Sequence, residues 1–261
     1  MSKRKLQRYI EEQPHRPSGI RYKVPILISD SKGYCLRDAC KQYNFPIESW
    51  CISGARTSAL VDLLENRIEK AIQRHHHIVV YFWAGTCDLT HKEGKFIELR
   101  HKGNTSIETI EKEYQRAIAI VNKYSSAEIK FLDCPVLSIS TWNKRKGHKH
   151  PEDFKNQDSL ITKQITALNK TIWKINSTLR KNSIKVSRYF FRGRKRKGRS
   201  WTRRTVNLSI NNKDGVHPGQ SLSLAITKHI LLDTYKECYQ EVNEKDILVI
   251  DIEIEETNSL L

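Results

Sequence analysis

Ile78-Val79-Val80-Tyr81-Phe82-Trp83 is the stretch that most limits what this chain can fold into. It is an unbroken β-prone apolar run with no polar residue at alternate positions, so neither face of a strand made from it suits water. Strands of this kind sit inside parallel sheets, where helical crossovers cover both faces. The neighbouring sequence supplies those helices. From Ser58 to Arg74, apolar Leu60, Val61, Leu64, Ile68, Ala71 and Ile72 recur at helical spacing, and Ile107, Ile110, Tyr114, Ala117, Ile118 and Val121 repeat the pattern. A third helix carries Leu160, Ile161, Ile165, Leu168, Ile172, Ile175 and Leu179 on its apolar stripe, and a last one spans about Ser221 to Tyr235. Val24 to Ser29 reads as a buried strand running into the turn Asp30-Ser31-Lys32-Gly33. Phe45 to Ile52 reads as a weaker strand, sent to a sheet edge by Pro46, and Ile129 to Leu132 as another, stopped by Cys134-Pro135. Strands alternating with helices imply right-handed βαβ crossovers and a parallel sheet with helices on both sides.

At 261 residues the chain suits one such domain with polar extensions. Residues 1–21 are basic and hold Pro14 and Pro17, which predicts a flexible basic arm; the domain itself is expected over 22–240, with an acidic tail at 241–261. Lys+Arg 46 against Asp+Glu 29 leaves +17, a balance that excludes an acidic surface and favours polyanionic partners. Nine of the basic residues, and no acidic one, fall in the insertion 188–204. No apolar run approaches the roughly 20 residues of a membrane span, and the N-terminus shows no signal core, so an intracellular protein of cytoplasm or nucleus is expected. The six cysteines form no CxxC pair, and His75-His76-His77 lacks companions at metal spacing, so reduced thiols, a helix end and no metal are the expectation.

In open parallel sheets functional groups gather at the carboxyl ends of the strands. Four such places carry usable chemistry: Ser29-Asp30-Ser31, Ser53-Gly54-Ala55, Gly85-Thr86-Cys87-Asp88, and the late loop Asp214-Gly215-Val216-His217-Pro218-Gly219. A serine hydroxyl becomes a nucleophile when an imidazole takes its proton and a carboxylate fixes the imidazole tautomer. Asp214 and His217, three apart in one loop, supply both groups.

These four blocks, in this order over about residues 24–235, resemble the SGNH (GDSL-like) hydrolase family. The resemblance implies a flavodoxin-like three-layer α/β/α sandwich with a mostly parallel sheet of about five strands. It implies Ser31 as nucleophile, His217 as general base and then acid, and Asp214 as orienter. It also implies an oxyanion hole from the backbone N–H groups of Ser31 and Gly54, with a third donor from the block holding Cys87. Gly54 is expected to let the backbone approach the reacting centre. The implied activity is that of a serine esterase on small acyl or acetyl esters, by an acyl-enzyme route without cofactor. A looser resemblance, to SGNH-type domains of retroelement-derived invertebrate proteins, rests on Ser29-Asp30-Ser31-Lys32-Gly33, Gly85-Thr86-Cys87-Asp88, Trp142-Asn143-Lys144 and the basic run before Lys213-Asp214-Gly215.

Two positions depart from the family pattern. Ser29 stands where Gly usually precedes the Asp, and Cys87 stands where an Asn is expected. A thiol is a weak donor beside an amide, and losing one oxyanion donor costs on the order of 10²–10³ in rate. The readings left open are therefore a slow esterase, one with Thr86 as replacement donor, and an inactive SGNH scaffold that binds nucleic acid. For the last, Arg192, Arg194, Lys195, Arg196, Lys197 and Arg199 would neutralise phosphates while nearby Tyr189, Phe190, Phe191 and Trp201 stack on bases; the run also reads as a solvated loop or an import signal. Ile247-Leu248-Val249-Ile250 followed by Asp251, Glu253, Glu255 and Glu256 resembles a SUMO-interacting motif over 247–256, or else an edge strand or a tail neutralising the basic run.

Overall fold

The computed structural model describes residues 1–195, 202–211 and 213–240. In chain order its elements are α1 (Lys3–Glu11), β1 (Ile20–Arg21), β2 (Val24–Ser29), α2 (Ser31–Gln42), β3 (Glu48–Cys51), α3 (Thr57–His75), β4 (Ile78–Trp83), α4 (Thr86–Leu89), β5 (Thr90–Glu93), β6 (Phe96–Leu99) and α5 (Thr105–Val121). There follow β7 (Ala127–Phe131), α6 (Ile139–Arg145), α7 (Lys155–Thr178), β8 (Phe191–Lys195), β9 (Thr202–Val206), α8 (Gln220–Glu237) and β10 (Tyr239–Gln240). The main sheet is parallel throughout, in the order β3-β2-β4-β7, with Val24 opposite Ile78 and Ile78 opposite Ala127. The chain reverses direction across the sheet between β2 and β4, which makes a crevice at the carboxyl ends of those strands.

The six residues of β4 are buried without exception, and their alternation sorts the core. Ile78, Val80 and Phe82 face the layer of α3, α5 and α7, while Val79, Tyr81 and Trp83 face the layer of α1, α2 and α8. This is the three-layer α/β/α arrangement expected.

Three details differ from the expectations. The sheet has four strands among the described residues, one short of the approximate five. Beyond β7 its edge groups are satisfied by side chains of α7: Asn176 bonds the N–H and C=O of Phe131 at 2.9 and 2.7 Å, and Asn169 bonds those of Cys134 at 2.7 and 2.9 Å. The N-terminal segment, expected as a flexible arm, is helical over α1, because Leu6 and Ile10, four apart, bury one face in the second core cluster. Residues 90–99, for which no element was expected, form the antiparallel hairpin β5-β6. His75 ends α3, as expected of the histidine run, and its Nε2 lies 2.8 Å from a Glu48 carboxylate oxygen.

Candidate active site

Ser31 is the first residue of α2, just past the carboxyl end of β2, and Asp30 caps that helix by accepting from the Lys32 N–H at 2.9 Å. The first amides of a helix have no partner within it, so the Ser31 N–H is left facing outward at the positive end of the helix dipole. His217 reaches this point from the loop before α8. Its Nε2 lies 2.8 Å from Ser31 Oγ, and its Nδ1 lies 2.8 Å from Asp214 Oδ2. With Nδ1–H donating to the carboxylate, Nε2 is the acceptor for the serine proton. Asp214 Oδ1 also accepts from the amides of Val216 (2.9 Å) and His217 (2.7 Å). Burial alone would raise the Asp214 carboxyl, but the His217 side chain and these two amides hold it below the ordinary aspartate range.

The loop owes its course to Gly215. Its φ is +87°, and a Cβ there would lie 2.8 Å from Thr141 Cβ and 2.9 Å from the Ser138 carbonyl oxygen. The Gly215 carbonyl accepts from the Ser138 N–H at 2.9 Å. Asp158, near the start of α7, braces the same segment by accepting from Ser138 Oγ (2.9 Å) and the Ile139 and Ser140 amides (2.6 and 3.2 Å). Thus α7 fixes α6, and α6 fixes the turn that carries Asp214 and His217.

Gly54 lines the same cavity and makes no hydrogen bond through its N–H among the described residues. A Cβ at Gly54 would meet no protein atom within 4 Å, and the backbone there has the left-handed φ of +70°, a second reason for glycine.

Behind Ser31 lies a buried polar cluster that the sequence reasoning missed. Lys32 and Asp30 are each 1% exposed. The Lys32 ammonium contacts both Asp30 Oδ2 and Thr86 Oγ1. Thr86 Oγ1 in turn donates to Asp30 Oδ2 at 3.1 Å, and Cys87 Sγ lies 3.6 Å from the same oxygen. The Thr86 hydroxyl is therefore engaged with Asp30 here. The Cys87 thiol is pushed up to about 12, by burial first and by the Asp30 charge second, so it stays protonated at neutral pH. Asp88 pins the start of α3, accepting from the Thr57 N–H (3.0 Å) and Thr57 Oγ1 (2.8 Å).

The groups open into a cavity of about 350 Å³ that brings together Ser31, Gly54, Cys87 and His217 from the expected list with Arg56, Arg100 and Trp142, which were not on it. The Trp142 ring packs 5.6 Å from the His217 ring, centroid to centroid. The hairpin β5-β6 lines the same cavity through Thr90, His91, Lys92 and Ile97 and turns at Gly94, whose φ is +55°. Of the basic insertion, Arg192 is exposed on β8, and Arg194 and Lys195 end that strand. Arg196, Lys197 and Arg199 lie outside the described residues, as does the segment 247–256. Among the described residues no group of His, Cys, Asp and Glu is arranged to hold a metal ion, all six cysteines are free, and no helix is long and apolar enough to cross a membrane.

The parallel β3-β2-β4-β7 sheet between two helical layers is the SGNH hydrolase fold. Solved structures with that likeness include the lipase/acylhydrolase of Enterococcus faecalis, 12% identical, with TM-score 0.52 over 85% of this chain and 99% of that one. A GDSL-like lipase of Bacteroides thetaiotaomicron is 16% identical, with TM-score 0.50 over 89% of this chain and 98% of that one. An acetyl xylan esterase is 16% identical, with TM-score 0.50 over 80% of this chain and 98% of that one. No protein-family model matches the sequence, and no curated protein matches it.

Proposed function

We propose that this protein is a serine esterase of the SGNH type, acting on small acyl esters through Ser31, His217 and Asp214. The observation that carries the reading is the unbroken relay from Ser31 Oγ through His217 to Asp214, with both links at 2.8 Å, opening on a cavity. In the first half-reaction His217 Nε2 takes the proton of Ser31 Oγ as that oxygen bonds the ester carbonyl carbon. The N–H groups of Ser31 and Gly54 receive the oxyanion. Collapse breaks the ester C–O bond, and His217 returns the proton to the leaving alcohol. Water then enters the second half-reaction, giving its proton to Nε2 and its oxygen to the acyl carbon. The serine recovers its proton when the acid leaves. Asp214 stabilises the imidazolium in both halves and keeps Nδ1 protonated.

The Cys-for-Asn substitution fits the branch of retroelement-derived invertebrate proteins and predicts a slower enzyme than one with a side-chain amide donor. A fluorophosphonate probe tests the reading: it should label the native protein at Ser31, and the label should vanish in Ser31→Ala. A folded native protein that stays unlabelled would leave an inactive scaffold as the better account. The second reading, nucleic-acid binding by 188–204, draws on exposed Arg192 and on the charge of that insertion.

A further inference from the structure

Three cations line the cavity from different elements. Arg56 arrives from the turn after Gly54, Lys92 from β5, and Arg100 from just past β6. Among the described residues none of them is in an ion pair. The one carboxylate in the cavity lining is Asp30, which is buried and already holds the Lys32 ammonium. Asp88, whose backbone carbonyl Arg100 contacts, gives its carboxylate to the Thr57 N–H and hydroxyl.

Arg100 is more than a solvated surface cation. Its Nε donates to the Asp88 carbonyl at 3.1 Å and its Nη2 to the Thr90 carbonyl at 2.7 Å, which fixes the guanidinium plane in the half-buried cavity wall. Nη1 has no partner among the described residues. Burial, then the nearby Arg56 charge, lowers its affinity for a proton, with the Asp88 charge opposing in part. The same lining also holds apolar Ile97, Leu137, Trp142 and Val216. A fixed guanidinium beside a second, exposed one is a receptor for an oxyanion, because the planar fork matches a carboxylate or phosphate. The apolar part of the lining suits an uncharged body bearing that anion.

We propose that the ester taken by this site carries an anionic group, a carboxylate or a phosphate, which Arg56 and Arg100 bind while the acyl carbon meets Ser31. The inference rests on the esterase reading above for the identity of the reaction, and on the cations alone for the charge of the ligand. Lys92 at the rim adds attraction at longer range and makes the preference salt-sensitive.

The test compares phenyl acetate with 4-acetoxybenzoate and 4-acetoxyphenyl phosphate, each rate normalised to that ester's hydrolysis by hydroxide. One or both anionic esters should exceed phenyl acetate in kcat/KM by about tenfold at low salt, as expected for one charge-assisted contact of this kind. Which anionic ester leads separates carboxylate from phosphate. Arg56→Gln, at an exposed position, and Arg100→Gln should each collapse the anionic-to-neutral ratio toward one. A native ratio near one, or a ratio that survives both substitutions, overturns the proposal. Calorimetric titration of Ser31→Ala with 4-hydroxyphenyl phosphate, 4-hydroxybenzoate and phenol keeps the two readings apart. If no ester is cleaved, the esterase reading falls, and binding then decides the ligand's charge: an anion held about tenfold tighter than phenol supports the proposal, and equal affinities reject it.

Discussion

On the strand-end wall of the cavity each charged group has its partner: Asp214 accepts from the His217 ring and two amides, and Asp30 accepts from the Lys32 amide, the Lys32 ammonium and Thr86. A second wall, made by the hairpin with Lys92 and Arg100 and by the turn that carries Arg56, lines the same space, and none of the three cations is in an ion pair among the described residues. The first wall is built as a preorganised catalytic surface is, with polar groups locked before any ligand arrives. The second leaves its charges unsatisfied, as a receptor for an outside anion must. The difference separates two kinds of residue by what their removal should do: chemistry and stability on one side, selectivity on the other.

The largest expected effect is on the locked wall. His217→Ala should lower kcat for an activated ester by about 10⁴ or more, since a triad without its base retains only the contribution of oxyanion donors and binding. Thermal unfolding should show the fold intact, because His217 is half-buried and its loop is held mainly by Gly215 and Asp158. Residual activity within tenfold of native would show that Ser31 draws its base from elsewhere, and the contrast between walls would lose its chemical half.

Next comes Lys32→Met, which tests whether the locked wall is also where stability is concentrated. The substitution keeps the apolar stem but leaves the buried Asp30 carboxylate without its cation, and breaking a buried pair from one side costs about 3–5 kcal/mol. Arg56→Gln, at an exposed position, should stay within about 0.5 kcal/mol of native. Urea unfolding of the two variants side by side reads the difference directly. A Lys32→Met cost below about 1 kcal/mol would mean that the cluster behind Ser31 is less tightly coupled than its contacts indicate.

The same contrast explains what could be read from the sequence. The bounds of β2 and β4 match the expected Val24–Ser29 and Ile78–Trp83, because a continuous apolar run has few other places to go. Ser31, Asp214 and His217 could be named as candidates because four blocks follow in order at the strand ends, and the structure brings their side chains together. The hairpin wall was not legible. Its apolar positions are few, Phe96, Ile97 and Leu99, and short strands far from the main sheet carry little periodicity. Lys32 was missed for another reason: a lysine beside a serine reads as solvent-facing, and only the fold reveals that the first turn of α2 drives it into the sheet beside Asp30 and Trp83. The helical N-terminus escaped because Leu6 and Ile10 are two apolar residues in a basic stretch, too few to outweigh it until α8 is present to cover them.

The smallest expected effect falls where the two walls meet, at Cys87. Its thiol is held neutral, pushed up to about 12 by burial, and lies 3.6 Å from Asp30 Oδ2, so its weak S–H is aimed at the carboxylate instead of at the space in front of Ser31. An asparagine here has two amide protons. One can take over the contact with Asp30, and the other can face the oxyanion beside the N–H groups of Ser31 and Gly54. A restored donor is worth up to about 10²–10³ in rate where geometry is ideal. The larger side chain must also fit a lining set by Thr86 and the Lys32 ammonium, which reduces the expected gain. Cys87→Asn should therefore change kcat by less than about tenfold, upward or not at all, with the anionic-to-neutral ratio set by Arg56 and Arg100 as before. Steady-state kinetics on the folded variant decides it: a fall of the size caused by His217→Ala would show that the thiol itself takes part in the reaction.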